Sequence, residues 1–188
     1  QSMTPPQHPP AATRGQLRDT GYFPRSVADE IRHNLLDRLR TQTVAFPGIV
    51  GFDDSVLPEL ESALLAGHDL VLLGERGQGK TRLMRTLTSL LDEWIPEVSG
   101  CEIHDEPYEP VCVRCRALAA ELGDDLPITW RHRDDRYTEK LATPDTSVGD
   151  LIGDVDPVKV AQGRTLGDPE TVHYGLVPRA NRGVFGLN

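Results

Sequence analysis

The eight residues from Gly74 to Thr81 read Gly-Glu-Arg-Gly-Gln-Gly-Lys-Thr, which fits the phosphate-binding loop pattern G-x-x-x-x-G-K-[ST]. A short apolar run from Leu70 to Leu73 precedes the loop and is typical of a buried strand, and an apolar stripe at helical spacing follows it. A strand, a glycine-rich turn and a helix in this order form the context in which the pattern holds a nucleoside triphosphate. The sequence therefore predicts an α/β fold built around a nucleotide site.

The residue types of the loop explain how it would hold phosphate. Glycines let the backbone turn so that successive N–H groups face the β-phosphate, and the N-terminus of the following helix adds positive partial charge. We expect Lys80 to reach the β- and γ-phosphate oxygens and the Thr81 hydroxyl to ligate the accompanying Mg²⁺. The alternative is a glycine-rich turn that binds nothing. The predicted nucleotide ligands in the loop are Gly74, Glu75, Arg76, Gly77, Gln78, Gly79, Lys80 and Thr81.

Composition and charge limit the classes of protein to which this chain can belong. A chain of 188 residues with 38% hydrophobic content can bury one sizeable core, so we expect one domain with appendages. The net charge of −9 argues against a nucleic-acid partner, which would need a clustered basic face. The sequence shows neither a signal segment nor an apolar stretch near the roughly 18 residues that span a bilayer, so we expect a cytoplasmic protein without a membrane span.

The chain divides into three parts by composition. Gln1 and Ser2 before Met3 resemble the scar of a cleaved tag, and residues 1–15 are predicted to be a disordered tail. Residues 16–46 form an N-terminal helical segment, and 47–188 carry the nucleotide-binding domain. Within that domain the stretch of about 97–145 has little periodicity and is interpreted as an irregular insertion.

Helical periodicity marks three amphipathic segments before this insertion. The first begins at Ser26, which can form a capping box with Asp29. The second is closed by Gly67, and the third follows the loop, includes Trp94 and ends before Pro96.

Shorter elements are predicted near the end of the chain. Thr146 or Ser147 can cap a short helix, and the segment that starts at Gly175 is predicted to form one helical turn. Val184 to Leu187 is predicted to be a second buried strand.

The three cysteines fall within fifteen residues and are accompanied by one histidine. The arrangement C-x2-H-x7-C-x2-C offers four ligands in two close pairs, the form that a structural tetrahedral zinc site takes. The alternatives are three reduced thiols, or two thiols close enough to oxidise. The predicted zinc ligands are Cys101, His104, Cys112 and Cys115.

Three blocks of this sequence resemble the ATPase subunit of magnesium chelatase, a member of the AAA+ class of P-loop ATPases. They are Gly48-Ile49-Val50-Gly51, the loop itself, and the segment from Gly175 to Gly183, which is similar to the family's G-L-[LV]-x-[RK]-A-N-R-G. The resemblance implies a three-layer P-loop core, Mg-ATP as ligand, and a homo-oligomeric ring that remodels a partner or works with a chelatase-type subunit. It also implies that Val50 and Gly51 contribute to the adenine pocket; the alternative is a glycine-containing turn with two aliphatic core residues.

The same resemblance implies a core that is incomplete at its C-terminus. Asn188 occupies the place of the family's metal-organising Asp in the Walker B strand, and an amide brings no charge to the magnesium shell. The catalytic Glu would follow Asn188, so the resemblance implies no catalytic residue within this sequence and, for these residues alone, nucleotide binding without turnover. The competing hypothesis is a non-hydrolysing interaction module, clipped by zinc, in which nucleotide is only a structural ligand.

Overall fold

A computed structural model describes residues 7–43, 46, 56–67, 79–164 and 172–187. The helices within these ranges are α1 (Arg14–Asp19), α2 (Val27–Arg40), α3 (Val56–Ala66), α4 (Lys80–Leu87), α5 (Val113–Leu122), α6 (Val148–Ile152), α7 (Pro157–Ala161) and α8 (Leu176–Arg179). The strands are β1 (Trp94–Val98), β2 (Ile128–His132), β3 (Tyr137–Lys140), β4 (Gly153–Val155), β5 (Val172–Tyr174) and β6 (Val184–Leu187). Single 3-10 turns cover Thr88–Leu90, Gly123–Asp125 and Arg133–Arg136.

The described strands form three two-stranded sheets, so this part of the chain is mixed α/β. β1 and β2 are antiparallel, with Trp94 opposite His132, and β4 and β5 form a second antiparallel pair. β3 and β6 are parallel, with Tyr137 opposite Val184. Parallel strands need a long crossover connection, and here α6, α7, α8 and the β4–β5 pair lie between them in the sequence.

Helix α4 packs against β6 of the parallel pair. Gly186 makes this close approach possible, because a Cβ built on it would lie 3.3 Å from the Met84 Cε and 3.0 Å from the Tyr137 hydroxyl. The helix that follows the predicted phosphate loop therefore lies directly on a parallel strand pair.

The largest hydrophobic cluster among the described residues joins α2, α3 and the α4 region. Ser26 caps α2 by accepting a hydrogen bond from the Asp29 N–H, which is one half of the predicted capping box; the Asp29 carboxylate accepts from the Ser26 hydroxyl and not from its backbone N–H. Gly67 ends α3 with a φ of 72°. The buried members of this cluster are Ile31, Leu35, Phe46, Leu57, Leu60, Leu83, Leu90 and Leu91.

The helix after the loop is shorter than the sequence predicts. It ends at Leu87, a 3-10 turn follows, and Trp94 begins a strand that includes Pro96. Contacts with α2 satisfy carbonyls at this end, because Asn34 Nδ2 donates to the Leu90 carbonyl over 2.7 Å and the Arg38 side chain donates to a carbonyl in the same turn. Pro96 is tolerated in β1 because this strand pairs only with β2 among the described strands.

The predicted disordered tail is packed over its described C-terminal part. Trp130 Nε1 donates to the Ala11 carbonyl over 2.8 Å, and Arg14 N donates to the Leu126 carbonyl over 2.9 Å. Leu17 is fully buried in α1. The polar composition of this segment did not predict its packing. A few apolar residues and backbone hydrogen bonds are enough to hold it beside β2.

The stretch of about 97–145, predicted as irregular, contains α5, β2, β3 and part of β1. Its low periodicity reflects short elements whose buried side chains gather around the cysteines instead of along one helical stripe. Of the two predicted caps, Thr146 and Ser147, it is Ser147 that caps α6, and it forms a capping box with Asp150. The strand predicted at Val184 to Leu187 forms β6, but Leu187 is 53% exposed and is not a buried residue.

No helix among the described residues is both long enough and apolar enough to cross a bilayer.

Candidate functional site

The described part of the predicted phosphate loop is its junction with α4. Gly79 has a φ of 78°, in the left-handed region, and Lys80 begins the helix. Glycine reaches this conformation without steric cost, so the chain can turn sharply into the helix N-terminus. The predicted ligands Gly74, Glu75, Arg76, Gly77, Gln78, Val50, Gly51 and Asn188 lie outside the described residues, as does the predicted strand from Leu70 to Leu73.

Thr81 lies beside a carboxylate that sequence reasoning missed. Arg85 Nη2 and the Glu139 carboxylate on β3 form an ion pair over 2.9 Å. The hydrogen bond from Arg85, followed by a weaker effect of a hydrogen bond from Thr81, lowers the pKa of Glu139 below its ordinary value. Glu139 is therefore ionised at neutral pH, one residue before β3 ends. No local pattern in the sequence marks this residue, because its position follows from the pairing of β3 with β6.

A second candidate site is a group of three thiols and one carboxylate, which we call the thiol–carboxylate cluster. One ligand atom from each residue lies within 4.8 Å of the ligand atoms of the other three. Two ligands come from the loop after β1 and two from the start of α5. The members are Cys101, Asp105, Cys112 and Cys115.

Backbone hydrogen bonds hold the sulfur atoms in place. Asp105 N donates to Cys101 Sγ, and Cys115 N donates to Cys112 Sγ, each over 3.3 Å. Cys101 Sγ and Cys112 Sγ are 3.9 Å apart, and all three cysteines are free thiols. This separation is close to the value of about 3.8 Å that two sulfurs of a tetrahedral zinc site adopt when each Zn–S bond is about 2.3 Å.

His104, predicted as a zinc ligand, points away from the cluster, and Asp105 takes the fourth place. His104 has a φ of 55°, and its Nδ1 lies 2.7 Å from Glu97 Oε2 on β1. This left-handed turn directs the Asp105 carboxylate toward the thiols. The spacing of ligand residues along the sequence does not reveal this backbone conformation, so it could not predict that Asp105 lies in the cluster in place of His104.

Burial keeps Cys112 and Cys115 protonated when they bind no cation. Desolvation raises the pKa of Cys112 to about 11 and raises the pKa of Cys115 even more. Such thiols are poor nucleophiles at neutral pH, since the thiolate is the reactive form. A cation that binds the sulfurs would displace these protons. The cluster therefore has the chemistry of a structural metal centre, and could hold an ion such as zinc, rather than that of a reactive cysteine.

We found no match to this chain among protein-family models, curated proteins or solved structures.

Proposed function

We propose that this chain is the Mg-ATP-binding module of an AAA+ ATPase similar to the magnesium chelatase motor subunit. The observation that carries the proposal is the left-handed turn at Gly79 directly before the start of α4 at Lys80. It lies where the sequence pattern requires both the sharp turn and the helix N-terminus. The two features would bring main-chain N–H groups and the Lys80 ammonium together around the phosphates.

The placement of α4 adds support. Its first turn reaches Glu139 near the carboxyl end of β3, and its Met84 contacts Gly186 near the carboxyl end of the parallel partner β6. In open α/β folds, ligands bind at the carboxyl edge of parallel strands. A nucleotide held by Lys80 and Thr81 would lie at this edge.

Glu139 would then influence the magnesium ion. Its ionised carboxylate shares a hydrogen bond with Thr81, the predicted Mg²⁺ ligand. Mg²⁺ keeps several waters when it binds a nucleotide, and a nearby carboxylate can accept hydrogen bonds from them. The negative charge of Glu139 would favour the metal–nucleotide complex over free nucleotide.

The wider function rests on the resemblance of three sequence blocks to the chelatase motor. A motor of this class forms a homo-oligomeric ring and couples ATP hydrolysis to remodelling of a partner protein or to metal insertion by it. We propose this role for the protein in the cytoplasm, with no nucleic-acid partner because of its net charge of −9.

Ligand-induced stabilisation tests the nucleotide site. A ligand present at 100 times its dissociation constant adds about 2.7 kcal/mol to the free energy of unfolding. We expect Mg-ATP to raise the melting temperature of the wild-type chain in differential scanning fluorimetry. The variant Lys80→Ala should lose most of this shift, because it removes the ammonium group that binds the β- and γ-phosphates.

The matched control is Lys159→Ala, which removes a lysine from α7, outside the loop pattern. It should keep the full response to Mg-ATP. Equal responses of the wild-type chain and Lys80→Ala would show that Lys80 does not bind phosphate, and the proposed function would then be abandoned.

A further inference from the structure

We infer that the thiol–carboxylate cluster binds one zinc ion as a structural site, with Asp105 and not His104 as the fourth ligand. The inference concerns a site separate from the predicted nucleotide ligands and does not depend on them. It starts from the donor atoms, since three thiolate sulfurs and one carboxylate oxygen form a set that zinc accepts in tetrahedral geometry.

An oxygen of Asp105 without a hydrogen-bond partner indicates a cation site. Asp105 is 1% exposed, and its Oδ2 accepts hydrogen bonds from Val111 N at 3.2 Å and Cys112 N at 2.9 Å. Its Oδ1 is buried and accepts no hydrogen bond from any residue that the structure describes. A buried carboxylate oxygen without a partner is costly. A metal ion bound through this oxygen removes the cost.

The surroundings suit a bound ion rather than an open reactive site. Cys115 is fully buried, and Val98 and Leu126 pack beside the thiols with no exposed surface. Cys112 is the N-cap of α5, so the positive end of the helix favours its thiolate. Arg114 Nη1 donates to Cys115 Sγ over 3.6 Å. Together these groups offset part of the negative charge that remains when zinc neutralises two of the four ligand charges.

The ion would fix the loop between Cys101 and Asp105, and this loop holds the residues that precede β6 through hydrogen bonds. Asn181 Nδ2 donates to the Ile103 carbonyl over 2.9 Å, and Arg182 Nη1 donates to the His104 carbonyl over 3.1 Å. Both carbonyls lie between the ligands Cys101 and Asp105. Metal binding therefore holds the acceptors to which the Asn181–Arg182 pair is anchored, directly before β6 begins.

Elemental analysis of the full chain, purified without a metal-affinity step or chelator, tests the site. We expect about one zinc per chain. Asp105→Asn should bind zinc at least tenfold more weakly in competition with a chromophoric chelator, because an amide is a poorer ligand than a carboxylate. The matched variant His104→Gln should bind zinc as the wild-type chain does.

Cobalt and thiol reactivity keep the test decisive if Asp105→Asn fails to fold. Cobalt added to the metal-free wild-type chain should give the visible bands of a tetrahedral ion and the charge-transfer absorption of thiolate ligands. In moderate urea all three thiols should resist alkylation while zinc is bound and react once zinc is chelated, because loss of the ion lets the cluster open. Chelation should also speed hydrogen exchange in residues 181–187, because their anchors are released.

Three results would overturn the inference. The first is a wild-type chain that holds no zinc and takes up none when zinc is added. The second is a tenfold loss of zinc affinity in His104→Gln but not in Asp105→Asn, which would restore the ligand set that the spacing predicts. The third is hydrogen exchange in residues 181–187 that chelation leaves unchanged. Because no readout uses nucleotide, failure here is distinguishable from failure of the proposed function.

Discussion

Single residues decide how α2 is attached to the rest of the molecule. Glu30 on α2 and Arg136 before β3 form a buried ion pair, with Arg136 Nη2 2.8 Å from Glu30 Oε2 and side-chain exposures of 4% and 1%. Glu30 also accepts a hydrogen bond from Asp92 N over 2.6 Å, and Arg136 Nε donates to the Arg182 carbonyl over 2.8 Å. Geometry and extra hydrogen bonds of this kind are what a buried pair needs to offset its desolvation.

We predict that Arg136→Met lowers the free energy of unfolding by about 3–5 kcal/mol, because it leaves Glu30 charged and unpaired in the interior. Urea unfolding at neutral pH measures this change. The matched control is Asp124→Asn, which breaks the exposed pair with Arg18 and should cost less than about 1 kcal/mol. Equal losses in the two variants would show that the Glu30 pair is no more important than a surface contact.

At the scale of elements, local signals fix where helices begin and tertiary contacts fix where one of them ends. The N-caps Ser26 and Ser147 were predictable because a side chain bonds to a backbone N–H three residues away. The end of α4 was not predictable from the sequence, since Asn34 on another helix donates a hydrogen bond to the Leu90 carbonyl in the turn that follows it. The β4–β5 pair likewise depends on tertiary contacts. A Cβ added to Gly153 would meet the backbone of His173, and one added to Gly175 would meet the backbone of Leu151.

We predict that Gly153→Ala disrupts the β4–β5 pair. Gly153 has a φ of 115°, and an added Cβ would collide with the carbonyl oxygen of His173. The strained backbone and the collision should together cost at least about 2 kcal/mol of stability. Thermal unfolding followed by circular dichroism measures the loss.

Gly149→Ala on α6 is the matched control for this substitution. Its Cβ would meet the Ser147 Oγ at an ordinary 3.6 Å, and alanine favours a helix over glycine by up to about 1 kcal/mol. It should leave stability equal or raised. A Gly153→Ala protein as stable as the Gly149→Ala protein would contradict the close backbone approach.

At the scale of the whole molecule, three apolar clusters among the described residues share the stabilisation, and the third depends on the N-terminal segment. It gathers Ala11, Leu17 and Ile128 with partly buried Tyr22 and Trp130. The first cluster joins the helices around α2, and the second surrounds the thiol–carboxylate cluster. Segments distant in sequence meet in each of them, so loss of one buried side chain weakens the joining of whole segments.

We predict that Leu17→Ala lowers the free energy of unfolding by about 2–5 kcal/mol, since Leu17 is fully buried. Leu39→Ala removes the same atoms from a residue that is 41% exposed and should cost less than about 1 kcal/mol. Chemical unfolding of both variants compares the two sites. Equal stability of Leu17→Ala and the wild-type chain would mean that α1 is not part of the cooperative fold.

The sequence by itself determined the local features: the caps of α2 and α6, the glycine that ends α3, the turn at Gly79 into α4, and the concentration of thiols in one segment. These follow from interactions within a few residues, so a linear pattern contains them. Only the tertiary structure decided that Asp105 replaces His104, that Glu139 lies beside Thr81, and that the segment after Ala11 is packed. Those outcomes depend on backbone turns and strand pairing between distant residues, whose energies no local pattern records.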